Sequence, residues 1–189
     1  MEMERDISHD SPVKPMPSKG YLYVATGEQF VEEALRSLES LRRCSPDAHA
    51  TLITDREISV PEFDLVKVVD SEMDHDRPWK YGTVFKVTAL QASPYEKTFF
   101  IDTDTYFCQD CAELFDLLEY FDLLICHAPG DVSEVEVDGR ALAGYYPYNT
   151  GVMVYNSTPA LHAFFQDWSR CYQRKVDAYQ GNQPPFMEA

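Results

Sequence analysis

Hydrophobic and polar positions follow two different periods along the chain, which predicts strands that alternate with helices. Residues 20–26 are rich in β-branched and aromatic side chains, as is typical of a strand. Residues 27–43 carry apolar side chains at helical spacing, with Glu32, Glu33, Glu39 and Arg42 on the opposite side. The apolar positions of this predicted helix are Phe30, Val31, Ala34, Leu35, Leu38 and Leu41.

The same two patterns continue to the end of the sequence. Apolar runs predict further strands at residues 49–55, 63–70, 97–102, 121–128 and 148–156. Helical spacing predicts a helix within residues 76–91, a short helix at 111–120 and a helix at 158–176. In the first of these, Val84, Val87, Thr88 and Leu90 are expected to face inward, and in the last Thr158 is expected to be the N-cap. Residues 129–146 have weak periodicity and are predicted to form a mobile loop.

Strands that alternate with helices predict an α/β sandwich with a mostly parallel sheet and right-handed crossovers. The 189 residues fit one domain, from residue 20 to 189, after a polar, proline-rich leader at residues 1–19. Ligands of such sheets bind at the carboxyl ends of the strands. The side chains predicted at those ends are Thr26, Asp55, Asp70 and Asp102.

The net charge of −16 argues against partners that are themselves polyanions, such as nucleic acids and anionic membranes. No apolar stretch approaches the roughly 18 residues needed to span a membrane. The odd number of cysteines, five, favours reduced thiols in a cytoplasmic protein. Cys108 and Cys111 form a C-x-x-C pair, for which a redox pair or half of a zinc site stays open.

Two aspartates, Asp102 and Asp104, directly follow the apolar strand at residues 97–101. In an extended segment both carboxylates would lie on one side and repel each other. A hard divalent cation removes that repulsion, and Mg²⁺ or Mn²⁺ takes oxygen ligands from carboxylates and from substrate phosphates. The alternative is that both aspartates cap the turn into the next helix.

Other proteins also use the D-x-D pattern. In a calcium loop of the EF-hand type, Phe107 would occupy the position that requires glycine, and a helix rather than a strand would precede the loop, so we reject this possibility. In a phosphatase of the haloacid dehalogenase type, Asp102 would be the nucleophile and Asp104 the acid and base. That family carries the pair on its first strand, near the N-terminus, whereas about a hundred residues precede it here.

Two blocks of the sequence together resemble the glycogenin-like glycosyltransferases of the GT-A fold. Residues 85–107, FKVTALQASPYEKTFFIDTDTYF, match the lysine-bearing helix, the turn with Tyr95 and the strand that leads into D-x-D-T. Residues 148–168, YNTGVMVYNSTPALHAFFQDW, are similar to the second family block. The resemblance implies a GT-A-like three-layer α/β/α sandwich and a nucleotide-sugar donor, with a uridine diphosphate sugar expected. It also implies Mn²⁺ or Mg²⁺ and retention at the anomeric carbon.

The resemblance assigns roles to individual side chains. Asp102 and Asp104 would bind the metal, and Asn182 and Gln183 would stand at the catalytic position. The donor would contact Thr26, Lys86, Asp102, Thr103, Asp104, Asn149 and Gly151. Lys86 could instead be a solvated helix lysine, Thr26 a helix N-cap, and Gly151 the mark of a bulge.

The chain departs from the family at two points. Asn182 stands where the family carries an aspartate, so a catalytically inert relative that binds nucleotide is the alternative function. Family members also take a third metal ligand, commonly histidine, from a strand beyond this region, so we expect C-terminal elements to be missing. His127 could be a metal ligand or a partly buried histidine at a strand end. Several aromatic side chains could stack on the donor or pack within loops: Trp79, Tyr81, Tyr145, Tyr146 and Tyr148.

Overall fold

The structure, a computed structural model, describes residues 15–69, 78–128, 135–137, 140–142, 147–174, 186–187 and 189. Strands and helices alternate as the sequence pattern predicts. The helices are α1 (Glu28–Cys44), α2 (Pro78–Ala89) and α3 (Pro159–Arg174), with 3-10 helices at Leu90–Ala92 and Ala112–Glu119. The strands are β1 (Lys19–Val24), β2 (Ala50–Thr54), β3 (Leu65–Val68), β4 (Lys97–Ile101), β5 (Leu123–His127), β6 (Val135–Val137), β7 (Arg140–Leu142) and β8 (Tyr148–Asn156).

Six strands form the main sheet, in the order β3-β2-β1-β4-β8-β5. The pairs β3–β2, β2–β1 and β1–β4 are parallel, whereas β8 is antiparallel to both of its neighbours, β4 and β5. It follows that β8 alone runs against the other five strands of this sheet. The predicted mostly parallel sheet is therefore confirmed.

Apolar side chains of β4 alternate between the two faces of the sheet because successive residues of a strand point to opposite sides. Phe99 and Ile101 pack with α1 and the second 3-10 helix, and Phe100 packs with α2 and α3. Both faces are thus covered by helices, which explains the unbroken apolar run of this central strand. The fold has the three layers, α/β/α, that the resemblance implies.

Helix α1 buries Ala34, Leu38 and Leu41, as its apolar spacing predicts. Phe30, in contrast, is exposed, so the prediction that it belongs to the apolar face is wrong. It lies in the first turn of the helix, where the neighbouring Val31 packs against the core instead. Ser37 and Ser40 lie on the buried face instead, where their hydroxyls bind buried polar groups.

Two further predictions need correction, and one is confirmed. In α2, Val84, Val87 and the following Leu90 are buried, but Thr88 is exposed. The short helix predicted at residues 111–120 is confirmed, as a 3-10 helix at Ala112–Glu119. Within the predicted mobile loop, β6 and β7 pair as an antiparallel hairpin.

Helix α3 begins as predicted, with the Leu161 N–H donating to the Thr158 hydroxyl at 3.2 Å. Its buried face includes Phe165 and Trp168, which pack in the same core cluster as Phe100 of β4. None of the helices in the described ranges combines the length and the apolar character that a membrane span requires.

Candidate functional site

The carboxyl ends of three neighbouring strands meet at one edge of the sheet. Tyr23 of β1 pairs with Ile101 of β4, and the next residue, Val24, pairs with Ile53 of β2. The polar residues that follow these strands are Thr26, Asp55 and Asp102, and the register places them at the same edge. Asp70, predicted there too, lies outside the described residues.

Asp102 forms a short ion pair with a lysine from α2. The Lys86 ammonium donates to Asp102 Oδ1 at 2.6 Å, and the Lys86 side chain is only 11% exposed. The ammonium also lies over the Phe100 ring, 5.0 Å from its centroid. The alternative that Lys86 is a solvated helix lysine is therefore wrong. Its burial against the end of β4 places a positive charge directly beside the D-x-D pair.

A glycine of β8 allows the Asp102 carboxylate to lie against the neighbouring strand. The Asp102 N–H donates to the Gly151 carbonyl at 2.7 Å, and the Gly151 N–H donates to Asn149 Oδ1 at 2.7 Å. A Cβ on Gly151 would lie 2.7 Å from Asp102 Oδ2 and 2.9 Å from Asn149 Oδ1. The pairing of β5 with β8 is also irregular here, because the register jumps between Ile125 and Cys126. Gly151 therefore lies both at the close approach of the Asp102 carboxylate to β8 and at the irregular pairing of β8 with β5.

Asp104 differs from Asp102 because its carboxylate is exposed and has no hydrogen-bond or ion-pair partner in the described part of the chain. β4 ends at Ile101 and a turn begins at Thr103, so the expected strand alternation does not extend through the pair. Neither aspartate caps the following helix either. The N-cap is Cys111, and the N–H of the first helical residue, Ala112, donates to the Asp110 carboxylate at 2.9 Å.

Helix α1 binds the turn that carries the two aspartates. The Thr103 hydroxyl donates to Glu33 Oε2 at 3.1 Å, and the Thr105 hydroxyl lies 2.9 Å from that of Ser37. The Phe107 N–H donates to the Ser40 hydroxyl at 2.9 Å. Sequence reasoning missed the contribution of α1. The available signal was the presence of two serines among the buried apolar positions of an amphipathic helix.

Of the remaining predicted site residues, Thr26 is described by the structure and several others are not. Thr26 lies close to α2, with its hydroxyl 3.1 Å from the place of a Cβ on Gly82. It does not cap α1, because the N-cap is Gly27 and no side chain bonds there. Asn182 and Gln183 lie outside the described residues, as do Tyr145 and Tyr146; the side chains of Trp79 and Tyr81 are not described.

His127 lies at the end of β5 and is exposed rather than partly buried. Its ring stacks on Tyr148 at the start of β8, with centroids 4.9 Å apart and planes at 16°. Tyr148 in turn meets Phe186 edge to face. This aromatic group therefore packs at the end of β8 that leads to Asn149 and Gly151.

The cysteines show no redox or zinc arrangement. Cys108 and Cys111 are free thiols, and no group of three or more His, Cys, Asp or Glu within the described ranges could hold a metal by itself. Burial and the nearby Asp110 carboxylate raise the pKa of the Cys111 thiol, which disfavours the reactive thiolate. Reduced, unreactive thiols agree with these observations.

The donor set suits a hard cation that takes part of its shell from a bound ligand. Asp102 and Asp104 offer carboxylate oxygens, the ligands that Mg²⁺ and Mn²⁺ prefer. Gly151 places no side chain beside Asp102 Oδ2, and Asp104 has no hydrogen-bond or ion-pair partner within the described residues, so both carboxylates can take part in binding such a cation. Two carboxylates are fewer than a closed protein site needs, so diphosphate or water oxygens would complete the shell.

Comparison with known proteins relates part of the chain to a family and its fold to solved structures. Residues 96–188 match the model of a family described as nucleotide-diphospho-sugar transferase. The matched segment contains β4, the D-x-D turn, β8 and α3. The predicted resemblance is confirmed: the chain has a GT-A-like fold. Among curated proteins, none matches the sequence.

Solved glycosyltransferase structures share this GT-A-like fold at low sequence identity. The glycosyltransferase GlyE of Streptococcus pneumoniae TIGR4 is 15% identical with a TM-score of 0.62, over 90% of this chain and 42% of GlyE. The galactosyltransferase LgtC, solved with donor and acceptor sugar analogs, is 15% identical with a TM-score of 0.59, over 91% of this chain and 69% of LgtC. The chain thus spans less than half the length of GlyE.

Proposed function

We propose that the protein is a metal-dependent glycosyltransferase that takes a sugar from a nucleoside diphosphate donor, with uridine diphosphate as the nucleotide. The observation that carries this proposal is the cluster of Lys86, Asp102 and Gly151 beside the Asp104 carboxylate, which has no partner among the described residues. The cluster lies at the carboxyl edge of the sheet, where open α/β sheets bind ligands. Asp102, Asp104 and Gly151 also lie within the segment that matches the nucleotide-diphospho-sugar transferases.

The net charge of −16 makes binding of a diphosphate costly unless positive charge is concentrated at the site. Asp102 and Asp104 would hold Mn²⁺ or Mg²⁺, which when bound acts as a Lewis acid on the diphosphate leaving group. Lys86 holds Asp102 in position and adds a fixed positive charge next to it. Because this ammonium is buried and paired before any ligand arrives, it needs no reorganisation during the reaction.

Other groups at this edge fit the sugar and the nucleoside. Gly151 exposes backbone at the Asp102 carboxylate, and the Asn149 amide nitrogen can donate hydrogen bonds to sugar hydroxyls. Thr26 follows β1 and would face the nucleobase and ribose. The Thr103 hydroxyl already binds Glu33, so its backbone is the group expected to face the donor.

We assign Asn182 and Gln183 to the acceptor side of the site. An asparagine cannot carry the charge of the family's aspartate, so we expect slow transfer of the sugar. We expect retention of configuration at the anomeric carbon, and Gln183 would line the acceptor site. The inert nucleotide-binding relative is the second candidate, and Asn182 is the observation that favours it. The phosphatase alternative is disfavoured because β1, β2 and β3 precede the D-x-D strand. A cytoplasmic location stays a prediction.

Thermal unfolding with Mn²⁺ and uridine diphosphate tests the donor site. A ligand at one hundred times its Kd stabilises the folded state by about 2.7 kcal/mol. For a chain of this size the midpoint should rise by about 5–10 °C. Asp104→Ala should abolish the rise, whereas Asp116→Ala, which removes an exposed carboxylate from the Ala112–Glu119 helix, should retain it. An unchanged midpoint for the parent, or equal shifts in both variants, would refute the proposed site.

Activity assays separate the candidate functions once binding is established. Slow release of free sugar from a uridine diphosphate sugar, without acceptor, would identify an enzyme. Binding without any sugar release would favour the inert relative. Release of phosphate from simple phosphomonoesters that depends on Asp102 would favour the phosphatase instead.

A further inference from the structure

A continuous row of hydroxyl groups connects the core of the sheet to the D-x-D turn. The Tyr23 hydroxyl lies 3.1 Å from Ser37 Oγ, which lies 2.9 Å from Thr105 Oγ1. The Thr105 hydroxyl donates to the Asp102 carbonyl at 2.8 Å. Tyr23 is fully buried and Ser37 is 1% exposed, so the row begins in the core and ends at the site.

The direction of these hydrogen bonds follows from the number of protons available. Each hydroxyl has one proton to donate. Because Thr105 donates to the Asp102 carbonyl, it must accept from Ser37, and Ser37 must then accept from Tyr23. Burial raises the pKa of Tyr23 well above its ordinary value, so the phenol keeps the proton that this direction needs.

A second serine, Ser40, fastens the other end of the turn to the same face of α1. Its hydroxyl accepts from the Phe107 N–H at 2.9 Å and donates to the Ser37 carbonyl at 2.6 Å. Two serines, one helical turn apart, therefore bind positions 105 and 107. The exposed Asp104 lies just before these anchors and has no partner of its own in the described chain.

We propose that Ser37 and Thr105 are positioning residues that hold the Asp102–Asp104 turn in its metal-binding geometry. This inference rests on the proposed function, because it assigns a purpose to the turn that carries the metal ligands. The physical reason is that, within the described residues, no hydrogen bond or ion pair orients the Asp104 carboxylate, so its backbone must be fixed instead. The row of hydroxyl groups fixes the backbone of the turn through its hydrogen bond to the Asp102 carbonyl. The Asp104 carboxylate then stays available to bind the ligand.

Isosteric substitution tests the proposal, with titration calorimetry of Mn²⁺ plus uridine diphosphate as the readout. Thr105→Val removes the hydroxyl and keeps the shape, and should weaken nucleotide binding on the order of fivefold, as expected for the loss of one hydrogen bond. Thr105→Ser keeps the hydroxyl and should bind as the parent does. Thr98→Val is the matched control, since it removes a fully buried hydroxyl, bonded to Ser93 at 2.6 Å, from the opposite end of β4.

Thr98→Val should lower the melting temperature about as much as Thr105→Val while leaving nucleotide affinity unchanged. Equal affinities for Thr105→Val and the parent would overturn the proposal, as would equal weakening by both valine variants. Ser37→Ala provides a second test if Thr105→Val does not fold, and it should also weaken binding. The serine variant distinguishes a lost hydrogen bond from general damage, because only the hydrogen bond is restored by serine.

Amide hydrogen exchange separates failure of this inference from failure of the proposed function. If the parent binds neither manganese nor nucleotide, the donor site is wrong, but the hydroxyl row can still be judged. Exchange at residues 104–107 should then be faster in Thr105→Val than in Thr98→Val and the parent. Equal exchange in both valine variants would show that the row does not hold the turn.

Discussion

Replacement of Gly151 by alanine adds a single methyl group at the point where β8 touches Asp102. The new Cβ would lie 2.7 Å from Asp102 Oδ2 and 2.9 Å from Asn149 Oδ1, whereas ordinary contacts begin at 3.4 Å. The carboxylate must therefore retreat by about 0.7 Å. Within the described residues that carboxylate pairs with the Lys86 ammonium at 2.6 Å, so the ion pair is expected to distort.

The magnitude follows from two opposing effects. Overpacking of this kind typically destabilises a protein by about 1–3 kcal/mol. Alanine recovers roughly 0.5–1 kcal/mol relative to glycine inside a strand, so a net loss of about 1–2 kcal/mol is expected. A site misplaced by about 1 Å can lose as much as 10²-fold in activity, so affinity for Mn²⁺ and uridine diphosphate should fall by about tenfold or more.

The assay pairs urea unfolding with titration calorimetry, and Gly20→Ala is the control. A Cβ on Gly20 would clash with the ring of Tyr95, whose hydroxyl is held by Thr51 and His49. Gly20 is the second residue of β1, at the opposite end of that strand from the candidate site. Gly20→Ala should therefore destabilise the fold at least as much as Gly151→Ala, yet it should leave nucleotide affinity per folded molecule unchanged.

The reasoning fails if Gly151→Ala binds manganese and nucleotide as tightly as the parent. It also fails if Gly20→Ala loses affinity to the same extent, because the effect would then reflect general loss of stability. A decrease confined to Gly151→Ala would locate the donor site beside the Asp102 carboxylate.

Two further predictions concern charge. Lys86→Met leaves Asp102 without its cation. Because the Asp102 side chain is 37% exposed, the free energy of unfolding should fall by about 1–2 kcal/mol rather than by the full penalty of a broken buried pair. An unchanged urea midpoint would contradict this prediction. The second prediction is that stability falls in alkali. Burial raises the pKa of Tyr21 from 10.0 to about 12. Burial also raises the pKa values of Tyr23, Tyr95 and Tyr155. The unfolded chain then loses protons near pH 10 that the folded chain retains, so stability is intact below pH 10 and decreases up to about pH 12, by at most about 1.4 kcal/mol per tyrosine per pH unit. A urea midpoint that stays constant from pH 9 to 11.5 would contradict it.

Local sequence patterns predicted the elements well wherever one period dominates. The strand at residues 148–156 has the bounds that were predicted, and Thr158 caps α3 as expected. The predictions failed at single positions whose exposure depends on what packs against them. Phe30 and Thr88 lie at helical spacing with buried residues, yet both are exposed, Thr88 between the buried Val87 and Ala89.

The sequence by itself determined the alternating α/β architecture, the D-x-D pair at a strand end and the list of side chains that could hold a donor. Spacing within about ten residues contains this information, because periodicity and capping are local effects. Only the tertiary structure decided that Lys86 pairs with Asp102, that Gly151 lies against the same carboxylate, and that α1 serines hold the turn. These contacts join elements that are 16 to 68 residues apart, and the order of strands in the sheet brings them together.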